Sequence, residues 1–307
     1  MFRLRHILSL IGLAIIVVGP LDAARAEYAV TTRNDIAFVE HDKEKLVGDL
    51  YMPQGLEKAP VLIALHGGGW IMGDRKYYLT WGPYLAKNGY AVFSVEYRLN
   101  KPGARSYPGA IHDIKAAIQY VRANAASLGV DPDRIGLIGD SSGAHLAALV
   151  GLAGEEPLYS SAYRSDPHAD MSTKVKAVVG FYGIYDMPAM WQRYQTTRPY
   201  ENMTEVFLGA PLYVNRKVYY ESSPLNYATV DKRGIRFMLV YGKEDNVVDP
   251  ASQSDAFLLA LKQAGIYVRA IAVPGAGHFF VTDPVDQTSY GGVIGPQVLR
   301  FLKESGF

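Results

Sequence analysis

Short apolar runs of strand length recur along the chain at residues 61–65, 90–95, 135–138, 175–181, 237–241 and 267–273. The first, Val61-Leu62-Ile63-Ala64-Leu65, has no polar interruption, the pattern of a strand covered on both faces. Between the runs the period changes. Ile111, Ile114, Ile118 and Val121 recur at helical offsets, and an Ala/Leu-rich stretch follows residue 143. Further helices are predicted over 79–87, stopped by Asn88-Gly89, and near 252–264 and 293–304. Ahead of these, two alternating runs at 36–40 and 46–52 flank Asp42-Lys43-Glu44-Lys45 and predict a β-hairpin. Gly129 to Asp133 reads as a turn cluster, and 152–174 as a polar connection. Strands alternating with helices predict an α/β fold with a mostly parallel sheet and helices on both faces. Residues 184–234 interrupt the alternation with nine aromatics, scattered prolines and no clear period, and are expected to form an insertion.

The first 26 residues follow a different pattern. Arg3 and Arg5 precede an apolar run over residues 7–18, which ends in Gly19-Pro20 and Ala24-Arg25-Ala26. A basic start, a short apolar core and a small-x-small end predict a secretory signal peptide cut after Ala26, and hence an exported protein, periplasmic or secreted. An uncleaved anchor is the alternative, although the run is short for a membrane span. Residues 27–307 are then one domain with no stable membrane span. Over all 307 residues the charge is nearly balanced, 31 Lys and Arg against 30 Asp and Glu, so no basic face for nucleic acid is expected. Cysteine is absent, which excludes disulfides, a thiol nucleophile and thiolate metal sites.

Candidate chemistry gathers where strands end, the usual place for it in such a sheet. After the strand at 135–138 comes Gly139-Asp140-Ser141-Ser142-Gly143, then the Ala/Leu-rich helix. A strand turning into a helix within three residues needs positions without side-chain bulk, and the glycines supply them. Ser141 at the apex would present its hydroxyl at a helix N-terminus, whose dipole favours developing negative charge. The plainer reading is a turn whose serine caps the helix. A Gly-x-Ser-x-Gly match arises by chance about 0.15 times in a chain of this composition, so the assignment depends on partners elsewhere.

Three further segments supply those partners. His66-Gly67-Gly68-Gly69-Trp70 follows the strand at 61–65, and successive glycines let backbone N–H groups converge on one point. The N–H groups of Gly68 and Gly69, with that of Ser142, are the candidate oxyanion hole, whereas His66 is expected to fix the loop. Asp245, in the first turn after the strand at 237–241, is the candidate acid, with Glu244 and Asp249 as competitors suited to capping the next helix. His278, in the glycine-rich loop after the last strand, is the candidate base. His6, His41, His112, His145 and His168 are placed in the leader, the hairpin, two helices and a polar loop, where structural roles are expected.

Taken together, His66-Gly-Gly-Gly-Trp70, Glu96-Tyr-Arg-Leu99, Asp131-Pro-Asp-Arg-Ile-Gly136, Gly139-Asp-Ser-Ser-Gly143, Gly242-Lys-Glu-Asp245 and Gly277-His278 resemble the α/β-hydrolase superfamily. Within it, the chain is similar to carboxylesterases with an HGGG oxyanion motif, both hormone-sensitive-lipase-like and feruloyl or acetyl-xylan esterase-like. The resemblance spans residues 35–305. It implies a cofactor-free, metal-free serine hydrolase that cleaves small-molecule carboxylic esters through an acyl-enzyme, with the order Ser141, Asp245, His278. Many relatives have Ala-Gly-Gly where this chain has Ser142-Gly143-Ala144, which leaves the subfamily open. It also implies that 184–234 is a cap, whose aromatics line an aryl or acyl pocket or form the cap's own core. An arylformamidase or amidase of the same fold, a lipase-type esterase and a catalytically silent binding protein are the competing expectations.

Overall fold

The computed structural model describes residues 27–307, so the leader read at 1–26 lies outside the described residues. Strands β1 (Val30–His41) and β2 (Glu44–Pro53) form the antiparallel hairpin. They are followed by β3 (Ala59–Leu65), α1 (Trp81–Lys87), β4 (Ala91–Val95), α2 (Gly109–Ala123) and the short α3 (Ala125–Leu128). Next come β5 (Val130–Asp140), α4 (Ser142–Ala153), the short α5 (Pro157–Ser160) and β6 (Ala177–Phe181). The insertion contains α6 (Met187–Thr197), α7 (Met203–Leu208) and α8 (Arg216–Glu221). The chain closes with β7 (Arg236–Gly242), α9 (Ala256–Gln263), β8 (Tyr267–Val273) and α10 (Tyr290–Glu304).

The eight strands make one sheet in the order β1-β2-β4-β3-β5-β6-β7-β8. Pairing is antiparallel among β1, β2 and β4, and parallel from β4 through β3 to β8. The two-residue period of a strand divides its side chains between two cores. On β3, Val61, Ile63 and Leu65 join α2, α4 and α9 on one face, while Leu62 and Ala64 join α1 and α10 on the other. On β7, Phe237 and Leu239 face the first core, Met238 and Val240 the second. Every residue of β3, β4 and β6 is buried, which is why these strands read as apolar runs, interrupted by a polar residue only at Ser94.

Several boundaries differ from the pattern-based expectation. The hairpin strands are longer because most of β1 is an exposed, polar edge whose pairing leaves no apolar alternation to read. The turn cluster at 129–133 belongs largely to β5: Val130 pairs with Ala59, and the ladder then shifts register before Ile135 meets Val61. Within that irregularity Asp131 accepts the Asp133 N–H at 2.9 Å, so the turn chemistry is present but inside a strand. The polar connection 152–174 contains the end of α4 and all of α5. The last helix begins at Tyr290, earlier than its apolar period suggests, with the Ser289 hydroxyl accepting the Gly292 N–H as an N-cap. No helix among the described residues is long and apolar enough to cross a membrane.

Candidate active site

At the end of β5 the backbone reverses at Ser141, whose φ of 51° and ψ of −119° lie in a region that costs a non-glycine residue about 1–3 kcal/mol. Flanking bonds hold it there. The Ser141 N–H donates to the Phe181 carbonyl at 2.9 Å, and its own carbonyl accepts the His145 N–H at 3.1 Å. Close packing explains the glycines, since a Cβ on Gly143 would collide with the Leu65 carbonyl at the end of β3, and one on Gly139 with the Gly143 backbone. The strained turn is therefore clamped between β3, β6 and α4. Ser142 opens α4, so its N–H has no acceptor within the helix.

The loops after β7 and β8 bring the other two side chains to this point. His278 Nε2 lies 3.1 Å from Ser141 Oγ, and His278 Nδ1 lies 2.7 Å from Asp245 Oδ2. The other oxygen of Asp245 accepts the N–H groups of Val247 and Val248, each at 2.9 Å, which fixes the carboxylate plane. A carboxylate beside Nδ1 selects the tautomer with the proton on Nδ1, leaving Nε2 as an acceptor for the serine hydroxyl. The Asp245 and His278 side chains are almost wholly buried, 1% and 2% exposed, where such bonds are strong. The competing carboxylates lie elsewhere. Asp249 accepts the Ser252 N–H at 2.9 Å as a cap, and Glu244 is exposed.

Residues 66–70 form a loop beside the elbow. Gly68 has φ of 116°, and a Cβ there would strike the Met72 carbonyl. The Gly68 carbonyl accepts the N–H groups of Ile71 and Met72, both at 3.2 Å. In the same trans peptide the Gly69 N–H then points the opposite way, away from Ile71 and Met72. His66 contributes to the loop itself, its Nδ1 lying 2.7 Å from the Gly67 carbonyl while its ring stacks on Tyr97 at 4.4 Å. Burial pushes its pKa down to about 4, so it is neutral. The Tyr97 hydroxyl donates to the His66 carbonyl at 2.7 Å.

Two contributors escape the sequence reading. Asp140, immediately before Ser141, accepts the Gly67 N–H at 3.0 Å and so ties the glycine loop to the elbow. Full burial raises its pKa to about 7, against the opposing hydrogen bonds from Gly67 and Tyr78. Its place between a buried strand and the turn was the available signal, since a carboxyl there needs a local donor. Tyr182, with φ of 38°, sets its ring 4.4 Å from the His278 imidazole and packs edge-on to Phe280. No local pattern marks it, because the contact joins loops 96 residues apart in sequence.

The insertion over 184–234 seats its own aromatics. Tyr194, Phe207 and Tyr219 are buried, whereas Tyr200, Tyr213 and Tyr220 are exposed. Phe207 stacks on Trp70 at 4.6 Å, so α7 rests directly on the residue that ends the glycine loop. Apolar side chains of mixed origin flank the site: Met72 next to Gly68, Met203 next to Gly69, and Phe279 edge-on to His278. Among the described residues no group of three or more His, Asp or Glu is placed to hold a metal ion.

Comparison with known proteins places this geometry in context. The protein-family model BD-FAE matches residues 48–261. The chain is similar to esterase LipQ of Mycobacterium tuberculosis, at 34% identity over 82% of this chain and 58% of LipQ. It is also similar to esterase LipC of the same organism, at 33% identity over 72% of this chain and 53% of LipC. The chain thus spans little more than half the length of the curated relatives it matches. Among solved structures, a truncated carbohydrate esterase from gut microbiota superposes with a TM-score of 0.71 at 25% identity, over 92% of this chain and 98% of that one.

Proposed function

The chain belongs to the BD-FAE family, and on that premise we propose that it is a serine carboxylesterase acting on short-chain or aryl carboxylic esters through an acyl-enzyme. One observation carries the reading: an unbroken line from Ser141 Oγ to His278 and on to Asp245, at 3.1 and 2.7 Å. His278 Nε2 takes the serine proton as Oγ attacks the ester carbonyl. The ring, then protonated, is stabilised by Asp245 and returns the proton to the leaving alcohol. Water repeats the cycle on the acyl-enzyme and frees the acid. The carbonyl oxygen becomes an alkoxide at each stage, and the N–H groups of Gly68, Gly69 and Ser142 are the donors proposed to meet it. Each such donor is worth about 10²–10³ in rate. The names of LipQ, LipC and the gut carbohydrate esterase support ester hydrolysis, and the last brings an ester borne on a carbohydrate within the proposed substrate class. The leader read at residues 1–26 supports action after export.

The test combines labelling with turnover. The wild type is expected to react with a fluorophosphonate probe and to hydrolyse p-nitrophenyl acetate. Ser141→Ala should abolish labelling, and Ser141→Ala or His278→Ala should lower kcat by about 10⁴–10⁶. A panel of acetyl, butyryl, feruloyl and palmitoyl esters with an arylformamide then defines the class. Turnover rising toward palmitate would replace this reading with a lipase, and preference for the formamide with an amidase. Absence of labelling and of all turnover would overturn it.

A further inference from the structure

His145, one helical turn after Ser141, has no place in the hydrolytic scheme, yet it sits where three parts of the molecule meet. Its ring is fully buried on α4. From one side the Trp70 indole Nε1–H donates to His145 Nδ1 at 3.1 Å. On the other, His145 Nε2 lies 2.8 Å from the carbonyl of Ser222, the C-cap residue just past α8 in the cap. An indole N–H donates only, and a carbonyl accepts only. The two bonds together therefore require one state of the ring: neutral, with its proton on Nε2.

We propose that His145 is a positioning residue, which ties the seat of the cap to the shape of the oxyanion loop. The inference rests on the esterase reading of that loop. Trp70 directly follows Gly69 and takes φ of 63°, a left-handed conformation that is unfavourable for a bulky residue. Its indole is fixed by three contacts. Phe207 of α7 stacks on one face at 4.6 Å, the His145 ring stands perpendicular at 5.3 Å, and the hydrogen bond to Nδ1 sets the rotation. The Trp70 carbonyl is held as well, accepting the Asn100 N–H at 2.8 Å. Since the Gly69 and Trp70 backbones are continuous, a displacement of the anchored Trp70 is passed through Gly69 to the peptide that is to donate to the alkoxide. His145 is one turn from the nucleophile on the same helix, so the bridge references the loop and the cap to the helix that carries Ser141. Burial lowers the pKa of His145 to about 4, which keeps the required neutral form across the ordinary pH range.

Transition-state donors are sensitive to displacement, and an error of about 1 Å costs on the order of 10²-fold in rate. His145→Leu, which fills the space without either bond, and Trp70→Phe, which keeps a ring without the donor, are both expected to lower kcat on a short ester by about 10- to 100-fold. KM should stay within about twofold, because the loss falls on the transition state. His145→Gln offers an amide oxygen to Trp70 and an amide N–H to Ser222, and should recover most of the rate. The double variant Trp70→Phe with His145→Leu should be no worse than either single change, the non-additivity expected of one shared interaction. A second readout needs no turnover. The protein has 3 tryptophans, so nitrogen-15 spectra can assign the Trp70 indole, and histidine nitrogen shifts should show His145 protonated at Nε2 and bare at Nδ1. A kcat for His145→Leu within twofold of the wild type, or a His145 proton on Nδ1, would overturn the proposal. If the leucine variant does not fold, Trp70→Phe, His145→Gln and the wild-type spectra decide it. Failure of the esterase reading would be seen separately, as a wild type that neither labels nor hydrolyses esters while the His145 tautomer stands.

Discussion

Two buried histidines show how differently one side chain can be used in this fold. His41, at the end of β1, lies between two carboxylates, Asp113 Oδ1 at 2.6 Å and Asp166 Oδ2 at 2.8 Å, with Tyr163 stacked at 3.8 Å. Arg98 closes the cluster, reaching Asp113, Asp42 and Tyr163. Burial alone would lower the pKa of His41, but the bonds and charges of Asp113 and Asp166 outweigh it and raise the pKa. His145 has only a donor and a carbonyl beside it, so burial prevails and the pKa falls to about 4. The neighbour, and not the depth, decides the charge. An ionic knot thus fastens the hairpin to α2 and the 161–170 loop, while an uncharged bridge fastens the 184–234 insertion to α4. The two regions should respond to pH in opposite directions.

The largest effect is expected at the ionic knot. Asp113→Asn would leave the guanidinium of Arg98 and the His41 ring without their fully buried partner, and should cost about 3–5 kcal/mol in denaturant unfolding at neutral pH. Specific activity of the folded fraction should change little, and a fall in kcat matching the loss of stability would erase the distinction between the two regions. Next comes the acid limb at His145. Its pKa in the folded chain lies below the unfolded value of 6.5, so the unfolded state takes up the proton first as pH falls. Its contribution is intact above pH 6.5 and is lost on going down to about 4, some 3 kcal/mol in all. Stability of wild type minus that of His145→Gln should drop across that window; a flat difference would mean that the ring is not buried neutral. The smallest effect belongs to His41. Its raised pKa reverses the sign, so its contribution is full below pH 6.5 and fades as pH rises through the folded value. Wild type minus His41→Gln, about 1–2 kcal/mol on the acid side, should shrink toward alkaline pH. Growth of that difference with rising pH would contradict the charged form.

Much of the sheet is legible because its central strands are buried on both faces and carry largely apolar runs. The edge strand β1 is not, since its exposure leaves polar residues in a ladder that only β2 reveals. The insertion shows no period because its helices are 6–11 residues long, too short to establish one. Its start signals were nonetheless present: Asp186, Asn202 and Asn215 each cap a helix through the side chain. At the site, chain order and position after strands point to Ser141, Asp245 and His278, and the folded chain joins these side chains by hydrogen bonds. The capping bond of Asp249 and the exposure of Glu244 separate them from Asp245, which residue type alone does not. What no local pattern carries is the partner across distance. Asp166 meets His41 from 125 residues away, and Trp70 meets His145 from 75.

The insertion is fastened in large part through carbonyl oxygens. His145 reaches the Ser222 carbonyl, Tyr159 that of Glu221, and Arg193 on α6 reaches back to those of Asn246 and Val247. A carbonyl persists whatever side chain its residue bears. Positions such as 221 and 222 can therefore vary in identity while the anchoring persists, and selection can rewrite the outer surface of this lobe, exposed Tyr200 and Tyr213 included, without disturbing the line of Ser141, His278 and Asp245.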